Sequence, residues 1–185
     1  VLIAPLRFSA PEPLAESSDE RSEWSALVQG LRSAPVVAAM LAVTMADTLG
    51  SAAHNVGFPI ISKLLTPDSA STTLGLMLAV WAAGKLLGAR IASRLNGSEN
   101  VHLERRYFGG VLLMSCGFIL MFQQHSVVGL LLFSLPAGLG DGFSEVGLMS
   151  RLQREPEPLR LPIFSFLTLL QMTGFGVGML IAAPF

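Results

Sequence analysis

Five long apolar runs dominate this chain, and they leave few folds open to it. They cover Val36–Ser62, Thr72–Arg94, Tyr107–Gln123, Ser126–Ser150 and Leu161–Phe185. A helix crosses a bilayer with about 20 mostly apolar residues, whereas barrel strands are about 10 residues long and alternate in polarity. These runs are longer and do not alternate, so each is expected as a transmembrane helix. A helix pairs all its backbone groups within one segment, which lipid demands. A soluble bundle would keep a polar face on every helix. Between Val111 and Phe122 only Ser115 and Cys116 carry polar side chains.

Composition points the same way. Charged residues make up 14% of the chain and hydrophobic ones 51%, against about 25% charged in soluble domains. So little charge also excludes intrinsic disorder. Cys116 is the single cysteine, which excludes an internal disulfide framework. A net charge of −1 argues against nucleic acid as a partner. The residues hold no P-loop, no nucleophile elbow and no metal-ligand spacing, and His54, His102 and His125 are scattered. The expectation is therefore a protein that is not an enzyme and needs no metal or cofactor.

The basic residues orient the spans. Arg7, Arg21 and Arg32 precede the first run. Arg90, Arg94, Arg105 and Arg106 surround the connection between the second and third, and Arg151, Arg154 and Arg160 lie between the fourth and fifth. Only Lys63 falls on the opposite side, and Lys85 lies within a span. The positive-inside rule places the Arg-rich side in the cytoplasm, so residues 9–34, 95–106 and 151–160 are expected there, with residue 185 outside. Val1–Leu6 is apolar but too short to span and reads as the tail of a preceding transmembrane helix, over residues 1–8. Residues 9–34 read as a cytoplasmic linker. Within it Trp24, Leu27, Val28 and Leu31 form one helical face, expected at the membrane surface, beneath the bundle, or as a plain lead-in to the first span.

Charges inside spans are costly, at roughly 2.5–3.5 kcal/mol each on insertion scales, and default to a functional hypothesis. Asp47, Lys85, Asp141 and Glu145 are the four. At 1.5 Å per residue Asp47 lies about 17 Å into its span, near the midplane. Lys85 and Asp141 fall somewhat to the cytoplasmic side, and Glu145 nearer that interface. Helical spacing gathers Asp47, Ser51 and His54, with Asn55 beside them, into one stripe. It gathers Ser134, Gly138, Asp141 and Glu145 into a second, and Ser165, Thr168 and Gln171 or Met172 into a third. The third run has no stripe and is expected as an outer, lipid-facing scaffold helix. A Lys85–Asp141 ion pair that only fixes packing, an interfacial position for Glu145 and a satisfied His54 are the structural alternatives to a proton or substrate pathway. Gly84/Gly88, Gly138/Gly142 and Gly174/Gly178 are spaced for close helix–helix seams. Pro59, Pro136 and Pro162 are expected to bend or begin helices.

Ser25-Ala-Leu-Val-Gln-Gly30-Leu-Arg-Ser-Ala-Pro35, after an acidic linker and before a long span, resembles the major facilitator superfamily, and within it the branch called transmembrane secretion effectors. Gly75-Leu-Met-Leu-Ala-Val-Trp-Ala-Ala-Gly84-Lys-Leu-Leu-Gly88 is similar to that family's eighth helix. Ala92-Ser93-Arg94-Leu-Asn-Gly97 is similar to the basic loop motif that follows, with Ser93 in place of the motif's acid and the basic pair displaced to Arg105-Arg106. The resemblance implies an all-α integral membrane fold in which the five spans are helices seven to eleven, most of one six-helix half. It implies secondary active transport of a small organic solute by a rocking bundle, plausibly proton-coupled export across a bacterial inner membrane. The partners implied are the bilayer, the solute and the missing N-terminal half. Asp47, His54, Asn55 and Asp141 would line the cavity, and Lys85, Glu145 and Gln171 would complete the pathway. Arg90, Arg94, Arg105 and Arg106 would belong to the cytoplasmic gating loop. The rival expectation is a non-transporting membrane scaffold, or a half-transporter subunit.

Overall fold

A computed structural model describes residues 20–95 and 99–182. The apolar tail at residues 1–8, most of the acidic linker and the Asn96-Gly97 turn lie outside the described residues. Six α-helices follow in order among those described: α1 (Glu20–Ser33), α2 (Pro35–Leu65), α3 (Ala70–Arg94), α4 (Asn100–Phe122), α5 (Val127–Leu152) and α6 (Glu157–Ala182). A 3-10 turn at Pro67–Ser69 leads into α3. Helices α2 to α6 are each long and apolar enough to cross a membrane.

The helix ends follow local chemistry. Pro35 opens α2, where its missing N–H costs nothing. Ser126 caps α5, its hydroxyl accepting from the Gly129 amide at 3.1 Å. The helices overrun the apolar runs on the basic side. α4 begins at Asn100, seven residues before Tyr107, and α6 at Glu157. Residues 100–106 and 157–160 are therefore helical where loops were expected, because a helix passing from lipid into water has no reason to end at the hydrocarbon edge. Pro59, Pro136 and Pro162 sit inside α2, α5 and α6 and end none of them. α1 lies beneath the bundle. Leu27 is buried with Val37, Leu41, Ile163 and Leu167, and the Trp24 ring meets Phe166 edge-on at 6.0 Å.

Glycines carry the helix contacts. A Cβ on Gly84 or Gly88 of α3 would strike the carbonyls of Leu135 and Leu139 on α5, and one on Gly138 or Gly142 would strike α3 backbone in return. Gly174 and Gly178 of α6 rest on α2 in the same way, over Met45, Thr48, Leu49 and Ala52. Exchanging α2 for α5 and α3 for α6 turns one seam into the other. All three expected glycine pairs lie at seams.

α4 corrects an expectation. It has an exposed apolar face, with Leu112 and Ile119 on it, but it is not only an outer scaffold. Tyr107, Gly110, Met114 and Gly117 are buried, and Gly110 and Gly117 lie against the backbone of Gly140, Ser144 and Ala137 on α5. Small residues bring the two backbones together, so a search for a polar stripe could not find this contact. The outside of the bundle is leucine rather than charge: Leu86 is 74% exposed and Leu180 77%. Large exposed apolar side chains on every span suit a surface that faces lipid.

Candidate functional site

The α3·α5 seam places the intramembrane charges. Close backbone approach at Gly84, Gly88, Gly138 and Gly142 brings Lys85 against α5 one turn from Asp141 and Glu145. The Lys85 Nζ lies 3.3 Å from the Asp141 Oδ2 and 3.0 Å from the Glu145 Oε2. It also lies 5.5 Å from the centre of the Trp81 ring, within cation–π range. The Lys85–Asp141 pair that the sequence offers as a structural alternative is present, and one ammonium serves two carboxylates. The Asp141 side chain is 19% exposed and that of Glu145 50%, so Glu145 forms the wet edge of the cluster.

Asp47 joins the group from α2. A small cavity of about 120 Å³ is lined by Asp47, Lys85, Asp141, Glu145, Tyr107 and Gln171, among others. Five helices contribute to it. Tyr107, which sequence reasoning passed over, holds its back wall: its hydroxyl donates to the Met40 carbonyl at 2.7 Å and lies 2.8 Å from the Thr44 hydroxyl. A single tyrosine in the chain, at the start of an apolar run, was the available signal. Among the described residues the Asp47 carboxylate has no ion-pair partner within 4 Å.

The remaining candidates separate. His54 packs into an aromatic cluster, 3.9 Å from the Phe118 ring centre and stacked on Phe58 and Phe122. It shares a second cavity, of about 340 Å³, with Asp47, Gly50 and Met114. Asn55 is exposed and donates to the Ser51 carbonyl at 2.9 Å. Of the α6 stripe, Gln171 reaches the charged cavity, while Ser165, Thr168 and Met172 are exposed. Arg106 donates to the Leu95 carbonyl at 2.8 Å and to that of Ala92, closing the end of α3. Arg90, Arg94 and Arg105 do not gather with the intramembrane charges. At the same end of the bundle Arg151, nearly buried, bonds Glu104 of α4 at 3.0 Å and also Glu155. This second ion cluster ties α4 to the α5–α6 connection.

Five long apolar helices with leucine outside and a charged cavity inside define a multi-pass helical membrane protein. Comparison with protein-family models, with curated proteins and with solved structures finds no match.

Proposed function

We propose that this chain forms most of one half of a secondary active transporter of the major facilitator type, moving a small organic solute outward in exchange for protons. The observation that carries the reading is the convergence of Asp47, Lys85, Asp141, Glu145 and Gln171 on one cavity between helices long enough to span a bilayer. Three carboxylates face one ammonium. Buried charge in lipid is retained where a pathway uses it. Protonation of Asp47 removes an uncompensated charge, and a charge that is cheaper in one conformation than another biases the equilibrium between them. The exchangeable α3·α5 and α2·α6 seams support the same reading. With five spans alternating in direction, α2 and α5 run oppositely, and such inverted repeats recur in secondary transporters. The rest of the transporter, the solute and a bacterial plasma membrane are the partners this implies.

The test is proton flux. Everted vesicles containing the complete protein are energised to hold a pH gradient, and a pH-sensitive dye follows collapse of the gradient on addition of small organic solutes. Asp47→Asn is expected to abolish solute-dependent flux while the protein still reaches the membrane. Flux equal to the wild type removes Asp47 from the mechanism. An immunoblot against residues 9–23 separates the scaffold reading. A transporter gives a band at roughly double the 19.7 kDa of this chain.

A further inference from the structure

A further cavity is lined by none of the five residues that carry that reading. It holds about 500 Å³ and lies where the end of α3 meets the start of α4 and the side of α5. Its lining is polarised along α4. His102, Arg105 and Arg106 stand at the end where α4 emerges from the bundle, and Gly109 and Leu113 lie deeper, with Phe143 of α5 opposite. From Arg105 to Leu113 the helix rises about 12 Å. Cations therefore sit at the level of the membrane interface and apolar surface at the level of the upper hydrocarbon.

We propose that this cavity binds an anionic glycerophospholipid, its phosphate held by Arg105 and Arg106 and the upper part of one acyl chain lying along Gly109, Leu113 and Phe143. Three features argue for it. The charge is of the right sign and is in place. Arg106 is anchored by its bonds to the Leu95 and Ala92 carbonyls, and Arg105 makes no ion pair among the described residues. Basic pockets between transmembrane helices at this level suit acidic headgroups. Gly109 has no packing reason to be glycine. A Cβ there would meet nothing within 4 Å, unlike one at its neighbour Gly110, which would meet α5 backbone. The absent side chain leaves the groove open. The groove also runs onto the exposed apolar face of α4, at Leu113 and Leu112, so its open side faces lipid. A site for free phosphate would need the two arginines and none of the apolar floor.

The proposal rests on the membrane-spanning helices alone, so it stands or falls separately from the transport reading. The complete protein in detergent is titrated with dioleoylphosphatidylglycerol or dioleoylphosphatidylcholine, and native mass spectrometry counts the first lipid bound. Phosphatidylglycerol is expected to bind several-fold more tightly than phosphatidylcholine. Arg105→Gln should weaken it about fivefold, the effect of one cation near an anionic surface. Gly109→Leu, which fills the groove without touching a charge, should weaken both lipids. Lys63→Gln, at the opposite end of the bundle, should change neither. Equal binding of the two lipids by the wild type overturns the proposal, and so does undiminished phosphatidylglycerol binding by both Arg105→Gln and Gly109→Leu. Displacement of the lipid by millimolar inorganic phosphate also overturns it, by making the site one for free phosphate.

Discussion

The α3·α5 and α2·α6 seams share a scaffold and differ in chemistry. In each, two glycines four residues apart lie over a partner helix, with Gly84 and Gly88 above the Leu135 and Leu139 carbonyls and Gly174 and Gly178 above those of Met45 and Leu49. In that register Leu139 matches Leu49, so Asp141 takes the place of Ser51 and Glu145 that of Asn55. Lys85 follows Gly84, whereas Phe175 follows Gly174. The α3·α5 seam carries the ion pairs of Lys85 with Asp141 and Glu145, whereas the α2·α6 side brings Asp47 and Gln171 to the same cavity without an ion pair. Close helix packing therefore does not require the ions. Glycine supplies the approach at both seams, and the ion pairs are an addition made at α3·α5, where a functional account has to be sought.

The largest effect should come from the glycines themselves. Gly84→Ala drives a methyl group into the Leu135 and Leu139 backbone, and neither can step aside. A loss of about 3 kcal/mol is expected, at the upper end for overpacking, read as a lower unfolding midpoint in detergent. Gly174→Ala meets the Thr48 hydroxyl first, a side chain that can rotate away, and should cost about 1 kcal/mol. Equal losses at the two positions would break the distinction between a contact with rigid backbone and one with a side chain that yields.

Lys85→Met addresses the charge. It leaves Asp141 and Glu145 facing each other without their cation. A fully buried pair broken in this way costs about 3–5 kcal/mol, and solvent at Glu145, half exposed, should reduce that to about 2 kcal/mol. Adding Asp141→Leu should recover part of the loss, and the double-mutant cycle measures how much of it was the pair. No recovery would mean that Glu145 alone carries the coupling. The smallest effect belongs to Gly176, which lies between the two α6 glycines but faces open space. Gly176→Ala should be neutral or stabilise by up to about 1 kcal/mol through helix propensity. A loss there would show that α6 has a further partner on that face.

Much of this was legible beforehand, and the reasons differ between elements. The five spans followed from run length, because a bilayer has a fixed thickness and the helix a fixed rise. Their ends are not legible on the arginine side, at Asn100 and Glu157, because hydropathy marks where lipid ends and not where a helix ends. The Lys85–Asp141 pair is one of the alternatives open in the sequence, because unpaired charge is too costly in lipid. That Glu145 shares the same ammonium is not among them, since helical spacing places it on the same face without saying how far a lysine reaches. His54 and Asp47 belong to one sequence stripe, yet Phe118 and Phe122 of α4 enclose His54 in a ring cluster while Asp47 also borders the charged cavity. Which neighbours a stripe meets depends on other helices.

By itself, then, the sequence determined that this chain is built of apolar helices, how many of them can span a membrane, and which few polar groups such helices must account for. These follow from the solvation of single segments, and each segment carries its own evidence. Only the tertiary structure decided that α3 and α6 run alongside α5 and α2, that α4 is wedged in by Gly110 and Gly117, and that Asp47, Lys85, Asp141, Glu145 and Gln171 share one cavity. Small residues allow close approach to any partner, and apolar surfaces attract without direction. The pairing of helices was therefore settled by how all of them fit together, which no single segment records.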